Sequence, residues 1–390
     1  MAKRLVVCCD GTWNTADQAI AGRACPTNVA KIALSIATQD SAGLYQRVYY
    51  HSGVGTSRWE RLRGGAFGIG LSHNVFDAYR FLTDNYEPGD ELYFFGFSRG
   101  AYTARSLAGL VRNCGILRRE NAGRIGEAWA LYRNSGERPN GVASALFRRA
   151  YSHESRIRFL GMFDTVGALG VPALGPGWLR PLVRRINRRW EFHDTTLSSL
   201  VDGAFQALAI DEKRAVFEPA LWHQQPDVRD QEMRQVWFTG VHCDIGGGYP
   251  ETALSDIALL WMIDRAQAYG LQFQPIAHSS DGPPEMTPRE STHFTVAPDP
   301  MTRPHDSWTM AYRLMAAVNR PIGKACDQQS GRLDGNEYVA STAKQYFDGD
   351  LGYRPPELAT HLENPADVHL EPVLSDLDDV ATPTSAEAAV

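Results

Sequence analysis

A serine lies between two glycines where an apolar run meets a helical pattern. Residues 90–102 read DELYFFGFSRGAY, with GFSRG at positions 96–100. In a strand–turn–helix of this kind, glycines permit a very tight turn and the serine hydroxyl projects above the sheet. The following helix then directs its N-terminal amides at a developing oxyanion. Because a bulky strand precedes the motif and a helical pattern follows it, we predict Ser98 as a nucleophile rather than as an ordinary turn serine.

A nucleophilic serine needs a general base, and the base needs a group that orients it. Of the eleven histidines, His242 directly follows a buried-looking strand in FTGVHCDIGGGY, where three glycines permit a loop that folds back over the serine. We predict His242 as the base. The alternatives are a structural role for His242, with His193 or His361 as the base.

Two aspartates are candidates for the orienting acid. Asp164 ends the strand that follows the serine's strand, in FLGMFDTVGALG, and gives the chain order Ser, Asp, His of α/β-hydrolases. Asp244 is the alternative acid, two residues beyond His242. Side chains two residues apart in an extended loop seldom meet head-on, so the sequence favours Asp164.

The N-terminal segment VVCCDGTWN also ends a strand in polar residues. It is similar to haloacid dehalogenase phosphatases, but Cys8 occupies the position of their nucleophilic aspartate, which argues against phospho-aspartate chemistry. We predict instead that the amides of Gly11, Thr12 and Arg99 form an oxyanion hole. Asp10 would brace the loop that carries the first two.

Ester hydrolysis by this set of residues requires no metal or organic cofactor. The alternative is a divalent ion held by Asp10, Asp164, Asp244 and His242. The glycine-rich GGAFGIG, residues 64–70, lacks a phosphate-binding lysine and follows no clear strand, which argues against a nucleotide site. The six cysteines have no CxxC pair and no regular spacing, so we predict reduced thiols, mostly buried.

Short apolar or aromatic strands alternate with helical patterns along most of the chain. Several strands are apolar on both faces, which is typical of a parallel sheet covered by helices on both sides. Ligands of such sheets bind beyond the carboxyl ends of the strands, where the polar candidates above lie. The predicted strands are 4–9, 47–51, 91–97, 156–163 and 235–241, and the predicted helices are 26–38, 71–86, 99–111 and 255–268, the last with Ser255 as N-cap.

Composition limits the class of protein. The 390 residues carry a net charge of −6 and a pI near 6.0, which argues against nucleic acid as the main partner. The apolar stretch near the N-terminus covers only residues 5–9 and meets Asp10, so neither a signal peptide nor a membrane span is predicted. The default location is the cytoplasm, with signal-independent secretion as the alternative. The oligomeric state is left open.

A set of ordered segments lies along the first two thirds of the chain: CCDGTWN, GVGT, GFSRGAYTARSLAGL, FLGMFDTVGALG, FHDTTLS, ALAIDEKR, VWFTGVHCDIGGGY and LSDIALLWM. Together these segments resemble one family of α/β-hydrolases, which includes the catalytic domain of the class-one type VI secretion phospholipase effectors, and the resemblance covers most of residues 3–265. It implies a serine esterase or lipase that acts on acyl esters, with phospholipase activity in the secreted members. The family often has histidine where this chain has Gln206 and Ala340, so neither position supplies the base here, which favours His242.

The domain organisation follows from these patterns. We predict an α/β-hydrolase catalytic domain over residues 1–270, in which segments at about 118–155 and 172–232 are helical insertions that cap the strand ends. A proline-rich linker (271–306), a smaller C-terminal region packed on the core (307–375) and a disordered acidic tail (376–390) complete the chain.

The predicted cap contains a basic amphipathic segment, WLRPLVRRINRRW, at residues 178–190. Arginines interleaved with apolar residues suit an anionic membrane surface, although a salt-bridged cap helix has the same pattern. The sequence thus predicts a serine-dependent hydrolase of lipid or phospholipid acyl esters. The alternative is a weak or inactive member of the fold that binds a ligand or a protein.

Overall fold

The protein is built around a parallel sheet with helices on both faces. The computed structural model describes residues 2–11, 19–20, 22–53, 67–134, 136–166, 196–225, 228, 230–278, 294–308, 317–325 and 335–374. The strands in these ranges are β1 (Arg4–Cys9), β2 (Ala19–Ile20), β3 (Arg23–Ala24), β4 (Gln46–His51), β5 (Glu91–Phe97), β6 (Ile116–Leu117), β7 (Ser152–His153), β8 (Ile157–Phe163), β9 (Val201–Ala209), β10 (Glu232–Phe238), β11 (Ala277–His278), β12 (Thr295–Val296), β13 (Glu337–Ala340) and β14 (Leu370–Glu371).

Eight of these strands form the main sheet, in the order β14-β13-β10-β9-β8-β5-β1-β4, and every neighbouring pair in it is parallel. The helices of the described ranges are α1 (Asn28–Ser35), α2 (Phe67–Asn85), α3 (Arg99–Cys114), α4 (Ile125–Tyr132), α5 (Val142–Tyr151), α6 (His242–Gly246), α7 (Ala253–Ala268), α8 (Ser341–Gly349) and α9 (Pro356–Leu362). The predicted α/β-hydrolase-like, mostly parallel architecture is therefore confirmed.

The sheet is buried on both faces because its strands are apolar on both sides. Along β1, Val6 and Cys8 enter the core cluster that includes α1 and α7, whereas Leu5, Val7 and Cys9 enter the cluster that includes α2 and α3. This alternation follows the two-residue period of a strand. Burial on both faces holds the central strands in place, and the polar residues lie at the carboxyl ends of these strands.

The order of the strands reverses direction beside β1. From β1 the chain moves to the edge strand β4 and then returns to β5 on the other side of β1, after which β8, β9 and β10 follow in sequence. Such a reversal opens a crevice at the carboxyl ends of the strands, because the connections on either side depart in opposite directions. Asp10 and Ser98 lie at this point, directly after β1 and β5.

The strongest sequence patterns gave accurate element bounds. Strands 4–9 and 91–97 are found as predicted, and the other predicted elements are present with ends shifted by a few residues. One cap was wrong: Thr252, not Ser255, precedes α7. Ser255 is buried within the first turn of α7, where its hydroxyl donates to the carbonyl of Thr252.

The predicted helical insertion at 172–232 is wrong over residues 201–209, which form the central strand β9. Its sequence VDGAFQALA is weak as a strand pattern because small residues and Gln206 interrupt it. The small residues are needed for packing, since a Cβ on Gly203 would lie 2.4 Å from the Tyr269 ring. Gln206 is accommodated because Thr165 donates a hydrogen bond of 2.6 Å to its side chain.

Helices and one short strand lie in the other predicted insertion. Within 118–155 lie a 3₁₀ turn (Arg119–Arg124), α4, α5 and the two-residue strand β7. Residues 167–195, which include the basic segment 178–190, lie outside the described residues.

The C-terminal region is continuous with the main sheet. β13 pairs with β10, and β14 pairs with β13, so residues of the predicted smaller region extend the main sheet at its edge. In the predicted linker, β11 and β12 form a short parallel ladder. The predicted tail, 376–390, lies outside the described residues.

The described ranges contain no helix that is both long enough and apolar enough to cross a bilayer. Of the cysteines in these ranges, Cys8, Cys9, Cys25 and Cys114 are buried and Cys243 is partly buried, as predicted for most of the thiols.

Candidate active site

Ser98 occupies a strained turn between β5 and α3. Its backbone has φ 57° and ψ −120°, a conformation that non-glycine residues rarely adopt. The two flanking glycines are sterically required: a Cβ on Gly96 would lie 2.5 Å from Ala101 Cα, and one on Gly100 would lie 2.1 Å from the Cys9 carbonyl oxygen. The backbone strain and the close contacts are the geometry of a nucleophile elbow.

We expect Gly100→Ala to destabilise the protein by about 3 kcal/mol, because the added methyl group meets the backbone of β1, which has no room to move. Gly126→Ala is the matched control. Gly126 lies in α4, and a Cβ there meets nothing within 4 Å, so alanine should raise stability slightly through its helix propensity. Chemical denaturation of the two variants measures the difference; a Gly100→Ala protein as stable as wild type would contradict the steric account.

Neighbouring strands hold Ser98 beside the other candidates. The Ser98 amide donates a hydrogen bond of 3.0 Å to the carbonyl of Phe163, the residue before Asp164. The ring of Phe97 lies against that of His242, with centroids 4.7 Å apart. The carboxyl ends of β5 and β8 and the first residue of α6 therefore lie next to one another.

Asp164 and His242 are in direct contact. His242 Nδ1 lies 2.5 Å from Asp164 Oδ2, and both residues are buried. The carboxylate accepts the Nδ1 proton, which leaves Nε2 as the basic nitrogen of the neutral ring. Asp164 itself has a positive φ of 39°, so the backbone at the end of β8 is also held in an uncommon conformation.

The surroundings of His242 favour its neutral form. Burial lowers the pKa of His242 below its usual value, against the opposing effects of the Asp164 and Glu212 carboxylates. Phe217 packs edge-on against the ring at 4.7 Å, on an apolar surface that also includes Phe97. The His242 amide donates to Glu212 Oε2 at 3.3 Å, which fixes the start of α6.

Gly246 explains why the His242 loop lies so close to the elbow. A Cβ at this position would lie 2.0 Å from the Phe97 ring, so only glycine permits the contact. Residues 242–246 form the short helix α6 rather than the predicted loop, and Gly246 lets this helix pack on the ring of Phe97, the residue before Ser98.

Arg320 is a member of this cluster that the sequence analysis missed. Its Nη1 lies 2.6 Å from Asp164 Oδ1 and its Nη2 lies 3.0 Å from Asp164 Oδ2, a bidentate ion pair between two buried residues. Burial by itself would raise the pKa of Asp164, but the charge of Arg320 and the hydrogen bonds from His242 and Arg320 hold this pKa below its usual value. No local motif marks Arg320, which is 156 residues from Asp164 in the chain.

Asp244, the alternative acid, has a different partner. Its Oδ1 lies 2.6 Å from Nδ1 of His305, and its Oδ2 accepts the backbone amides of Val241 and His305. Tyr249 packs on the His305 ring at 4.2 Å. The carboxylate thus fixes α6 and residues near 305, and the geometry favours Asp164 as the group that orients His242.

Asp10 lies at the carboxyl end of β1 and is fully engaged in hydrogen bonds. Its carboxylate accepts the Gly11 amide at 2.7 Å, the Thr27 hydroxyl at 2.6 Å and the Tyr50 hydroxyl at 2.7 Å. The Gly11 amide, a predicted oxyanion donor, is therefore directed at Asp10. Thr12, a second predicted donor, lies outside the described residues, and Arg99 is the first residue of α3.

The other histidine candidates lie elsewhere. His361 is on α9, where its ring packs so closely on Gly323 that a Cβ there would lie 2.3 Å from it. His193 lies outside the described residues. Gln206 and Ala340, where the family often has histidine, are buried in β9 and β13.

The candidate ion ligands are not grouped around one point. Asp10, Asp164 and Asp244 each have separate hydrogen-bonding partners, as described above. Within the described ranges, no group of three or more His, Cys, Asp or Glu side chains is arranged to hold a metal ion.

A parallel sheet with a strained serine at a strand–helix turn defines an α/β-hydrolase-like domain. Residues 3–265 match the family described as "T6SS, Phospholipase effector Tle1-like, catalytic domain". Because this match covers more than half of the chain, the chain belongs to that family.

A comparison with curated proteins finds a relative with moderate sequence identity. "Uncharacterized protein YEL023C" of Saccharomyces cerevisiae is 29% identical over an alignment of 249 residues that covers 57% of this chain and 33% of the yeast protein. The chain thus spans about a third of the length of that curated relative.

Two solved structures are also similar. The crystal structure of an uncharacterized protein from Pseudomonas aeruginosa has 21% identity and a TM-score of 0.41, with 70% of this chain and 46% of that chain covered. The structure of the Tle1 effector bound to the VgrG spike from the type 6 secretion system has 20% identity and a TM-score of 0.33, with 64% and 51% covered.

Proposed function

We propose that this protein is a serine-dependent carboxylic ester hydrolase that acts on the acyl esters of lipids or phospholipids. The observation that carries the proposal is the strained Ser98 at the elbow beside the Asp164–His242 pair. Membership of the phospholipase effector family supports the lipid substrate class.

In the proposed mechanism, Ser98 Oγ attacks the ester carbonyl while Nε2 of His242 accepts its proton. The imidazolium then donates this proton to the departing alcohol, which leaves an acyl-enzyme. Water, activated by the same nitrogen, hydrolyses the acyl-enzyme and regenerates the serine. Asp164 keeps the Nδ1 proton on the ring and stabilises the imidazolium throughout.

The developing oxyanion needs hydrogen-bond donors in a fixed position. The amide of Arg99, at the N-terminus of α3, is the donor that follows the nucleophile in the chain, as in other elbows of this type. Gly11 and Thr12 remain the proposed sources of a second donor. For Gly11 this requires the substrate to displace the contact that its amide makes with Asp10.

A serine-reactive fluorophosphonate probe tests the proposal directly. We expect stoichiometric labelling of the wild-type protein and no labelling of Ser98→Ala, with mass spectrometry placing the adduct on Ser98. Turnover on a panel of phospholipids and short soluble esters then defines the substrate class. A folded wild-type protein that neither reacts with the probe nor hydrolyses any ester would contradict the proposal and favour a ligand- or protein-binding module.

We further propose that the basic segment 178–190 contacts anionic membrane surfaces, an inference from its sequence alone. Neutralising its arginines should lower turnover on anionic vesicles more than on a short soluble ester, because only the vesicle presents a negative surface potential. High salt should reproduce the effect in the wild-type protein. Equal losses on both substrates would assign these arginines to packing. The arginines are Arg180, Arg184, Arg185, Arg188 and Arg189.

A further inference from the structure

The proposed mechanism assigns no role to Arg320. The proposed chemistry needs only a carboxylate behind the histidine, yet here both oxygens of Asp164 are also paired with one guanidinium. Arg320 is 3% exposed and Asp164 is 0% exposed, so water does not screen the pair. A buried arginine of this kind is costly unless its charge is compensated, and Asp164 is the carboxylate that compensates it.

The same guanidinium also fixes the surroundings of the acid. Its Nη1 donates to the carbonyl of Ala209 at 3.0 Å, and its Nη2 donates to the carbonyl of Phe217. Ala209 in turn donates its amide to Asp164 Oδ1 at 3.1 Å. Since the Phe217 ring packs against His242, Arg320 connects the acid, the end of β9 and one wall of the histidine site.

Charged groups of both signs in the described part of the chain act on the His242 ring. Asp164 and Glu212 raise the pKa of His242, whereas Arg320 lowers it, and burial is the largest lowering effect. Glu212 is itself paired with Arg214, at 2.7 Å. Arg320 therefore neutralises the carboxylate that contacts the imidazole and reduces the stabilisation of the imidazolium.

We propose that Arg320 is a positioning residue that fixes the Asp164 carboxylate against His242 and sets the lowest pH at which His242 acts as a base. This inference rests on the proposed function, because it assigns Arg320 to the same triad. The planar fork of arginine supplies the geometry, and its positive charge supplies the effect on protonation. These two contributions are separable by substitution.

Removal of the positive charge at position 320 should shift the pH dependence of activity in one direction. With a neutral residue at 320, the Asp164–His242 pair carries an uncompensated negative charge when the ring is neutral, so the pair binds a proton at higher pH. Below that pH the base is protonated and inactive. The acid limb of kcat/KM should therefore move to higher pH in Arg320→Gln, by about one pH unit.

The experiment compares three variants on a short soluble ester, with pH profiles and melting temperatures. Arg320→Gln should show the shifted acid limb and a plateau lowered at least about tenfold. Arg320→Lys keeps the charge but loses the fork, so its acid limb should stay near that of wild type while its plateau falls. The matched control is Arg234→Met, which breaks the ion pair of Arg234 with buried Glu371 in the same sheet. This control should lower the melting temperature and leave the pH profile unchanged.

The outcomes separate this inference from the proposed function. An active wild-type protein whose folded Arg320→Gln variant keeps the wild-type acid limb would overturn the role of Arg320 alone. If Arg320→Gln does not fold, Arg320→Lys decides: wild-type turnover in that variant overturns the proposal, and a reduced plateau with an unmoved limb supports it. A wild-type protein without esterase activity or probe labelling refutes the proposed function itself.

Discussion

Replacement of Ser98 by alanine should lower ester turnover by at least about 10³-fold, because the covalent route loses its reacting atom while substrate binding and the oxyanion donors remain. The fold should persist. Alanine retains the Cβ that serine already places in the strained turn, so no new contact forms and the melting temperature should change little.

A hydroxyl one turn further along α3 provides the control. Thr103 donates its hydroxyl to the carbonyl of Arg99 at 3.2 Å and is buried. Thr103→Ala removes this bond, so it should lower stability modestly and keep turnover within a few fold of wild type. The covalent mechanism would be ruled out if Ser98→Ala kept more than about a tenth of wild-type turnover. That level is far above the one expected for a lost nucleophile.

The second large effect concerns the acid. We expect Asp164→Asn to lower turnover by about 10⁴-fold, because an amide donates where the carboxylate accepts and so favours the wrong tautomer of His242. The buried Arg320 adds a consequence for stability. Its charge loses the carboxylate that compensates it, so the free energy of unfolding should fall by about 3 kcal/mol.

Asp244→Asn should behave differently. Asp244 pairs with His305 and accepts two backbone amides, so its loss should lower the melting temperature, while turnover measured on the folded protein stays within about tenfold of wild type. Kinetics well below both melting temperatures separate the two variants. A folded, nearly inactive Asp244→Asn beside an active Asp164→Asn would reverse the assignment of the acid.

A double variant separates stability from catalysis at Asp164. Asp164→Asn combined with Arg320→Gln replaces both members of the buried ion pair, so it should recover part of the lost stability. Turnover should not recover, because the carboxylate that orients His242 is still absent. Recovery of both quantities together would mean that the loss in Asp164→Asn arose from unfolding.

Elements with strong local signals could be predicted from the chain alone. The run ELYFFGF is apolar on both faces and ends at a glycine-flanked serine, so the bounds of β5 and the start of α3 were both predictable. The same reasoning located Asp10, Asp164 and His242 near strand ends, because polar residues after buried strands are visible in the chain itself.

Weak local patterns concealed other elements. β9 carries Gly203 and Gln206, which lower its strand propensity, and it is a strand because β8 and β10 pair with it on both sides. β13 and β14 have four and two residues, too few for a period to emerge. Their place in the sheet depends on strand pairing, which is a property of the folded chain.

Pairings between side chains that are distant in the chain could not be predicted, because they depend on the folded arrangement of the strands and loops. The sequence offered two carboxylates for one histidine, and the fold brings Asp164 to His242 and gives Asp244 to His305. Arg320 had no signal at all, since its partner is 156 residues away and its surrounding residues form no motif. An ion pair of this kind arises when the order of the strands and the path of the loops bring two remote segments to one edge of the sheet. Local propensity determines where polar residues leave the strands, whereas burial and topology determine which of them meet.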